Sequence, residues 1–141
     1  MHDFCIIGGG IAGLSLAAAL SGHAKVILLE AEDTFAYHAS GRSAALFIKD
    51  YGNHTIRQLN AFSEPVLNTI DAGVLSPRGL MMLARHGEEH AFKTEAAAFG
   101  LDDISITEAC AMVPILDHAK LACAGYTSGP ADIDTDRLIQ A

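Results

Sequence analysis

Phe4-Cys5-Ile6-Ile7-Gly8-Gly9-Gly10-Ile11-Ala12-Gly13 is the stretch on which the fold turns. A short apolar run ending in glycine reads as a strand buried on both faces, as in the middle of a parallel sheet. Ile11 to Ser21 is rich in Ala and Leu and reads as a helix, with Gly22 placed as its stop. Val26-Ile27-Leu28-Leu29 is a second buried strand, closed by Glu30. Strand, tight turn, helix and strand in so few residues make a βαβ unit with a right-handed crossover.

Gly8-Gly9-Gly10-Ile11-Ala12-Gly13 is a G-x-G-x-x-G pattern, and its surroundings make it specific. A strand precedes it, a helix follows it, and Glu30 closes the next strand at the spacing of a dinucleotide fingerprint. Gly8 makes the turn out of the strand. Gly10 lets a pyrophosphate approach the backbone, and Gly13 lets the helix pack closely on the strands. The free N–H groups around Ile11 and Ala12 sit at the positive end of the helix dipole. Glu30 is suited to accept hydrogen bonds from ribose hydroxyls, and its charge disfavours a 2′-phosphate, hence NADP. The motif alone does not separate FAD from NAD.

A second segment bears on that choice. His38-Ala39-Ser40-Gly41-Arg42-Ser43-Ala44-Ala45 lies soon after the second strand. Small side chains permit close backbone approach, and Arg42 can offset phosphate charge. The plain alternative is a helix N-cap at Ser40 beside a solvated arginine.

With these residues in view, Phe4 to Gly13, Glu30 and His38 to Gly52 resemble the N-terminal part of FAD-dependent oxidoreductases of the D-amino-acid oxidase type. That family includes glycine and sarcosine oxidases and D-amino-acid dehydrogenases. The stretch His-x-Ser-Gly-Arg-Ser-Ala-Ala followed by Tyr51-Gly52 is similar to its dehydrogenase-like members. The resemblance is specific in the first 52 residues and loose afterwards. It implies an α/β fold with a Rossmann-like βαβ core over residues 1–45. Residues 46–141 would be helices and part of an inserted α+β substrate-side region. It implies FAD as cofactor, with Gly8, Gly10, Ile11, Ala12 and Gly13 on the pyrophosphate. Glu30 would take the adenosine ribose, Ala31 would lie beside the adenine, and Ser40, Gly41, Arg42, Ser43 and Ala44 would line the pyrophosphate-to-flavin side.

The implied reaction is oxidation of a small amine or D-amino acid by hydride transfer to FAD, followed by hydrolysis of the imine. The electron acceptor, oxygen or a quinone, stays open. So do the catalytic residues, which the family carries in later parts of its sequence. A histidine in a similar stretch is joined covalently to flavin in some dimethylglycine-dehydrogenase-like relatives. For His38 the plainer expectation is a loop residue near the cofactor. Two other readings stand beside the flavoenzyme: an NAD-linked dehydrogenase domain, and a truncated nucleotide-binding module without catalysis of its own.

Composition narrows the field further. Half of the 141 residues are apolar and only 18% are charged, which excludes a disordered acidic tail. The net charge is -8 and the nine Lys and Arg are scattered, which argues against a nucleic-acid surface. Cys5, Cys110 and Cys123 make no CxxC pair and read as thiols in a reducing compartment. Met1-His2-Asp3 lacks the basic region of a signal peptide, and four glycines interrupt the apolar stretch behind it. No transmembrane segment is expected. The expected location is cytoplasmic, with the whole enzyme either free or peripheral at the inner membrane.

Further along, Ser43 to Ile48 reads as a short helix. A helix is expected from about His54 to Phe62, broken or restarted at Pro65. A strand is expected over Leu80 to Ala84, a helix over Glu88 to Phe99 with Gly100 as its stop, and a short helix over Ser105 to Met112. Leu121 to Tyr126 reads as an edge strand, and Thr135 to Ala141 as the start of a helix. His86-Gly87-Glu88-Glu89-His90 matches an inverted zinc-protease pattern, but Gly87 interrupts the helix that pattern needs, so no metal site is assigned.

Overall fold

Phe4–Ile7 (β1), Ile11–Ser21 (α1) and Val26–Leu29 (β2) form the anticipated βαβ unit. The strands are parallel, paired from Phe4 with Val26 to Ile7 with Leu29. The structure, a computed structural model, describes residues 1–141. Helix α1 packs on both strands. Nothing covers the opposite face, so Ile6 is the one buried residue of β1, while Ile7 is 86% exposed. The expectation of a strand buried on both faces is corrected accordingly.

The remaining chain runs Leu46–Phe47 (β3), His54–Leu67 (α2), Leu75–Pro77 (β4), Leu80–Arg85 (β5) and Glu89–Phe99 (α3). It continues through Asp102–Ile104 (β6), Ile106–Met112 (α4), Leu121–Thr127 (β7), Ala131–Ile133 (β8) and Thr135–Gln140 (α5). Two antiparallel sheets result, with strand orders β3-β8-β4 and β5-β7-β6. The expected edge strand at residues 121–126 is therefore a central one, flanked by β5 and β6. Its Ala124 and Gly125 are buried, and a Cβ at Gly125 would sit 3.2 Å from the Phe92 ring. Small residues there let α3 seat Phe92 and Ala96 against Ala84, which is the core of this half.

Two other expectations change. Helix α2 runs through Pro65 to Leu67. Pro65 lies in the last turn, where its missing N–H deprives only the carbonyl of exposed Ala61. The segment 43–48 is not a helix: Ala45 has a φ of 51°, which stops helical propagation, and Leu46–Phe47 pairs with β8 instead. Gly100 ends α3 in the left-handed conformation, as its position suggested. Ser105 caps α4 in a reciprocal box with Glu108.

Strand β8 brings distant sequence to the first unit. Ile133 N–H donates to the Ala45 carbonyl at 2.7 Å, and α5 follows directly. An apolar cleft of about 950 Å³ opens between α1, β2, α2 and α5, lined by residues such as Leu14, Leu28, Phe62, Val66 and Leu138. No helix is long and apolar enough to cross a membrane.

Candidate functional site

The glycine-rich turn links the ends of β1 and β2. Gly8 has a φ of 103°, a conformation that suits glycine, and its N–H donates to the Leu29 carbonyl at 2.8 Å. Gly9 N–H donates to Glu30 Oε2 at 2.6 Å. Ala31 and Glu32 N–H groups donate to Glu30 Oε1 at 2.7 and 3.1 Å. These donors favour the ionised form, the Gly9 bond most strongly, and hold the Glu30 carboxyl below the ordinary carboxylate range. Glu30 is thus fixed as a charged acceptor beside the turn.

Gly13 lies where α1 presses on the turn. A Cβ there would collide with the Gly8 carbonyl oxygen, so close helix–strand packing requires glycine, as expected. Gly10 is the N-cap of α1 and has no side chain to bond the first helical N–H groups. Ser40 does part of that work from across the site, because its Oγ accepts from Ile11 N–H at 3.0 Å. Ser40 therefore caps α1 rather than a helix following it, which corrects the alternative considered for it. The N–H groups of Gly10, Ala12 and Gly13 donate to no protein acceptor. Three unsatisfied donors at a helix N-terminus form a cradle suited to an anion.

The second segment is docked onto the first. Ala36 N–H donates to the Gly9 carbonyl at 2.9 Å, and Gly41 N–H donates to the Ala36 carbonyl at 2.8 Å. A Cβ at Gly41 would strike that carbonyl, so the loop closes only with glycine there. Arg42 and Ala44 are exposed, and Ser43 Oγ accepts from Ala45 N–H at 3.0 Å. The guanidinium of Arg42 lies 5.1 Å from the Tyr37 ring centroid. His38 Nε2 pairs with Glu32 Oε1 at 2.8 Å.

The turn, Glu30, Ala31, Ser40 and Gly41 are thus gathered at one place, and Arg42, Ser43 and Ala44 lead from it toward β3. A recess of about 50 Å³ lies among Gly10, Glu30, Ala36 and residues 37–40. A larger one of about 300 Å³ lies beside it, between Ile11, Ser40, Ser43 and α5.

Two contributors escaped the sequence reading. Gly9 is buried, and a Cβ on it would lie 2.5 Å from the Phe35 ring and 3.0 Å from Glu30 Oε2. The third consecutive glycine was the available signal. Ala36 bridges the two segments from a φ of 57°, which no sequence pattern announces. His86 and His90 do not share a helix: Gly87 turns the chain at a φ of 94° before α3 begins at Glu89.

A family model described as FAD dependent oxidoreductase, DAO, matches residues 3–141. Glycine oxidase from Geobacillus kaustophilus superposes with a TM-score of 0.76 at 23% identity, over 99% of this chain and 42% of its own. L-alpha-glycerophosphate oxidase from Mycoplasma pneumoniae, with FAD bound, gives 0.77 at 19% identity, over 99% and 40%. L-proline dehydrogenase from P. horikoshii gives 0.73 at 19% identity, over 98% and 39%. These structural likenesses establish a shared fold. The chain spans about two fifths of the length of the enzymes it matches.

Proposed function

This chain belongs to the DAO family of FAD-dependent oxidoreductases, and we propose that it is the FAD-binding N-terminal portion of an enzyme that oxidises an amine or D-amino acid. The observation that carries the reading is the pairing of an anion cradle with a fixed carboxylate. Gly10, Ala12 and Gly13 offer three unsatisfied N–H groups, and Glu30 is held ionised at the end of the neighbouring strand. That donor set suits a dinucleotide: N–H groups for the pyrophosphate, a carboxylate for ribose hydroxyls.

In this reading residues 1–45 are the FAD-binding core and residues 46–141 belong to the substrate side. Gly8, Gly10, Ile11, Ala12 and Gly13 hold the pyrophosphate. Glu30 takes the ribose of the adenosine, and Ala31 stands beside the adenine. Ser40, Gly41, Arg42, Ser43 and Ala44 line the side that runs from the pyrophosphate to the flavin. FAD, when bound, supplies the hydride acceptor, while the protein orients cofactor and substrate. Coverage of about two fifths of the matched enzymes supports a role as one portion of a larger flavoenzyme. The exposed apolar face of β1 and β2 supports it too. No catalytic residue is assigned among these 141.

Titration with FAD and with NADH tests the assignment. Saturable FAD binding with flavin absorbance near 450 nm, and no response to NADH, is expected. Preference for NADH would overturn it. The FAD-loaded chain is expected to reduce no dye with a panel of D-amino acids, and turnover by the pure chain would refute the division of labour.

A further inference from the structure

Arg42 is held in an unusual way for an exposed arginine. No hydrogen bond or ion pair engages its guanidinium. Its one specific partner is the face of Tyr37, 5.1 Å from guanidinium carbon to ring centroid. Tyr37 is itself braced. Its ring meets His38 edge-on, with centroids 5.2 Å apart and planes at 87°. His38 is bonded through Nε2 to Glu32 at 2.8 Å, and Glu32 N–H donates to Glu30. A continuous rank of side chains therefore runs from Glu32 through His38 and Tyr37 to Arg42, tied to Glu30 through the Glu32 backbone.

Stacking on an aromatic face fixes the plane of a guanidinium without consuming its N–H donors. A salt bridge would fix it too, but would use those donors and cancel the charge. Here the guanidinium carbon lies over the Tyr37 ring and no carboxylate takes its donors.

We propose that Tyr37 is a positioning residue: it holds Arg42 over its ring so that the guanidinium meets the pyrophosphate of the dinucleotide with its donors free. The inference rests on the FAD reading above and adds a role for a residue outside that assignment.

A double-mutant cycle on FAD affinity tests it, with Arg42→Ala, Tyr37→Leu and the pair. Tyr37→Leu is expected to weaken FAD binding roughly two- to five-fold, the scale of an exposed cation–π contact. The double variant should bind no more weakly than Arg42→Ala alone. Tyr37→Phe keeps the ring and should retain most of the affinity. Arg42→Ala should flatten the dependence of affinity on salt, and Tyr37→Leu should flatten it in part while Tyr37→Phe leaves it as in the parent.

Additive losses, or an unaltered salt dependence in Tyr37→Leu, would overturn the inference alone. Failure of the wild-type chain to bind FAD would overturn it together with the FAD reading. A ligand-free measurement guards against a misfolded Leu variant. The Tyr37 ring proton resonances should shift in Arg42→Ala, and unchanged resonances would refute the contact.

Discussion

Replacing Gly13 by alanine adds one methyl group at the tightest point of the site. The new Cβ would lie 1.9 Å from the Gly8 carbonyl oxygen. Ordinary carbon–oxygen approaches are about 3.3 Å, so helix and turn must separate by about 1.4 Å. That is nearly one residue of helical rise, about 1.5 Å. Neither side yields easily, because the obstacle is backbone on a strand tied to β2 by Gly8 N–H.

Forced overpacking of this kind costs about 1–3 kcal/mol. At roughly 4 °C per kcal/mol for a chain of this size, Tm should fall by about 4–12 °C. The same retreat moves the free N–H groups of Ala12 and Gly13 and the Ile11–Ser40 bond out of register. Loss of one charge-assisted hydrogen bond is worth about 1.5–3 kcal/mol, so FAD affinity should drop about ten- to hundred-fold.

Gly22, at the other end of α1, is the control. Its φ of −74° is open to any residue, and nothing lies within 4 Å of a Cβ there. Gly22→Ala should raise stability by about 0.4–1 kcal/mol by restricting the unfolded chain, with FAD affinity unchanged. Thermal melts by circular dichroism and flavin titration of both variants are the assay. A Gly13→Ala protein with the melting point and affinity of the parent would refute the packing argument.

Glu30→Gln should destabilise the chain at neutral pH, because an amide N–H₂ would face backbone donors on one side. The folded-state acidity of Glu30 is raised, so its contribution is complete above the unfolded-state pKa and is lost as pH falls through the folded value. Melting points of parent and variant should therefore converge toward acid, and a constant gap across the carboxylate range would contradict the assignment. Acid precipitation of the flavin-loaded protein should release all flavin to the supernatant, since His38 is expected to be a loop residue paired with Glu32. Flavin retained in the pellet would point to a covalent bond.

Legibility in the sequence followed the range of the interactions involved. The βαβ unit was readable because apolar runs, glycines and Glu30 all act within one short stretch, where local periodicity and turn chemistry agree. The roles of Gly8 and Gly13 followed from the same local logic. Ser40 was harder: a Ser before small residues signals a cap on the next helix, whereas its hydroxyl caps a helix that begins 29 residues earlier. Residues 43–48 went wrong for a related reason. Alanine-rich sequence favours helix, but Ala45 sits at positive φ and its carbonyl is taken by Ile133, a partner 88 residues away. The centrality of β7 depends on β6, a three-residue strand containing Asp102 and Asp103 that has no apolar pattern to reveal it. Contacts between remote segments leave no periodic trace in either one.

The bond between Ile133 and Ala45 also sets an order of assembly. Contacts among β1, α1, β2 and Glu30 span few residues, so the entropy of closing their loops is small and they can form early. Strand β3 finds its partner only in β8, near the other end of the chain. During synthesis the glycine turn therefore takes shape first, and the wall that begins at Ser43 is completed only after β8 emerges. Between those two moments a nascent chain carries the glycine turn and Glu30 without the β3–β8 pairing that closes the other side.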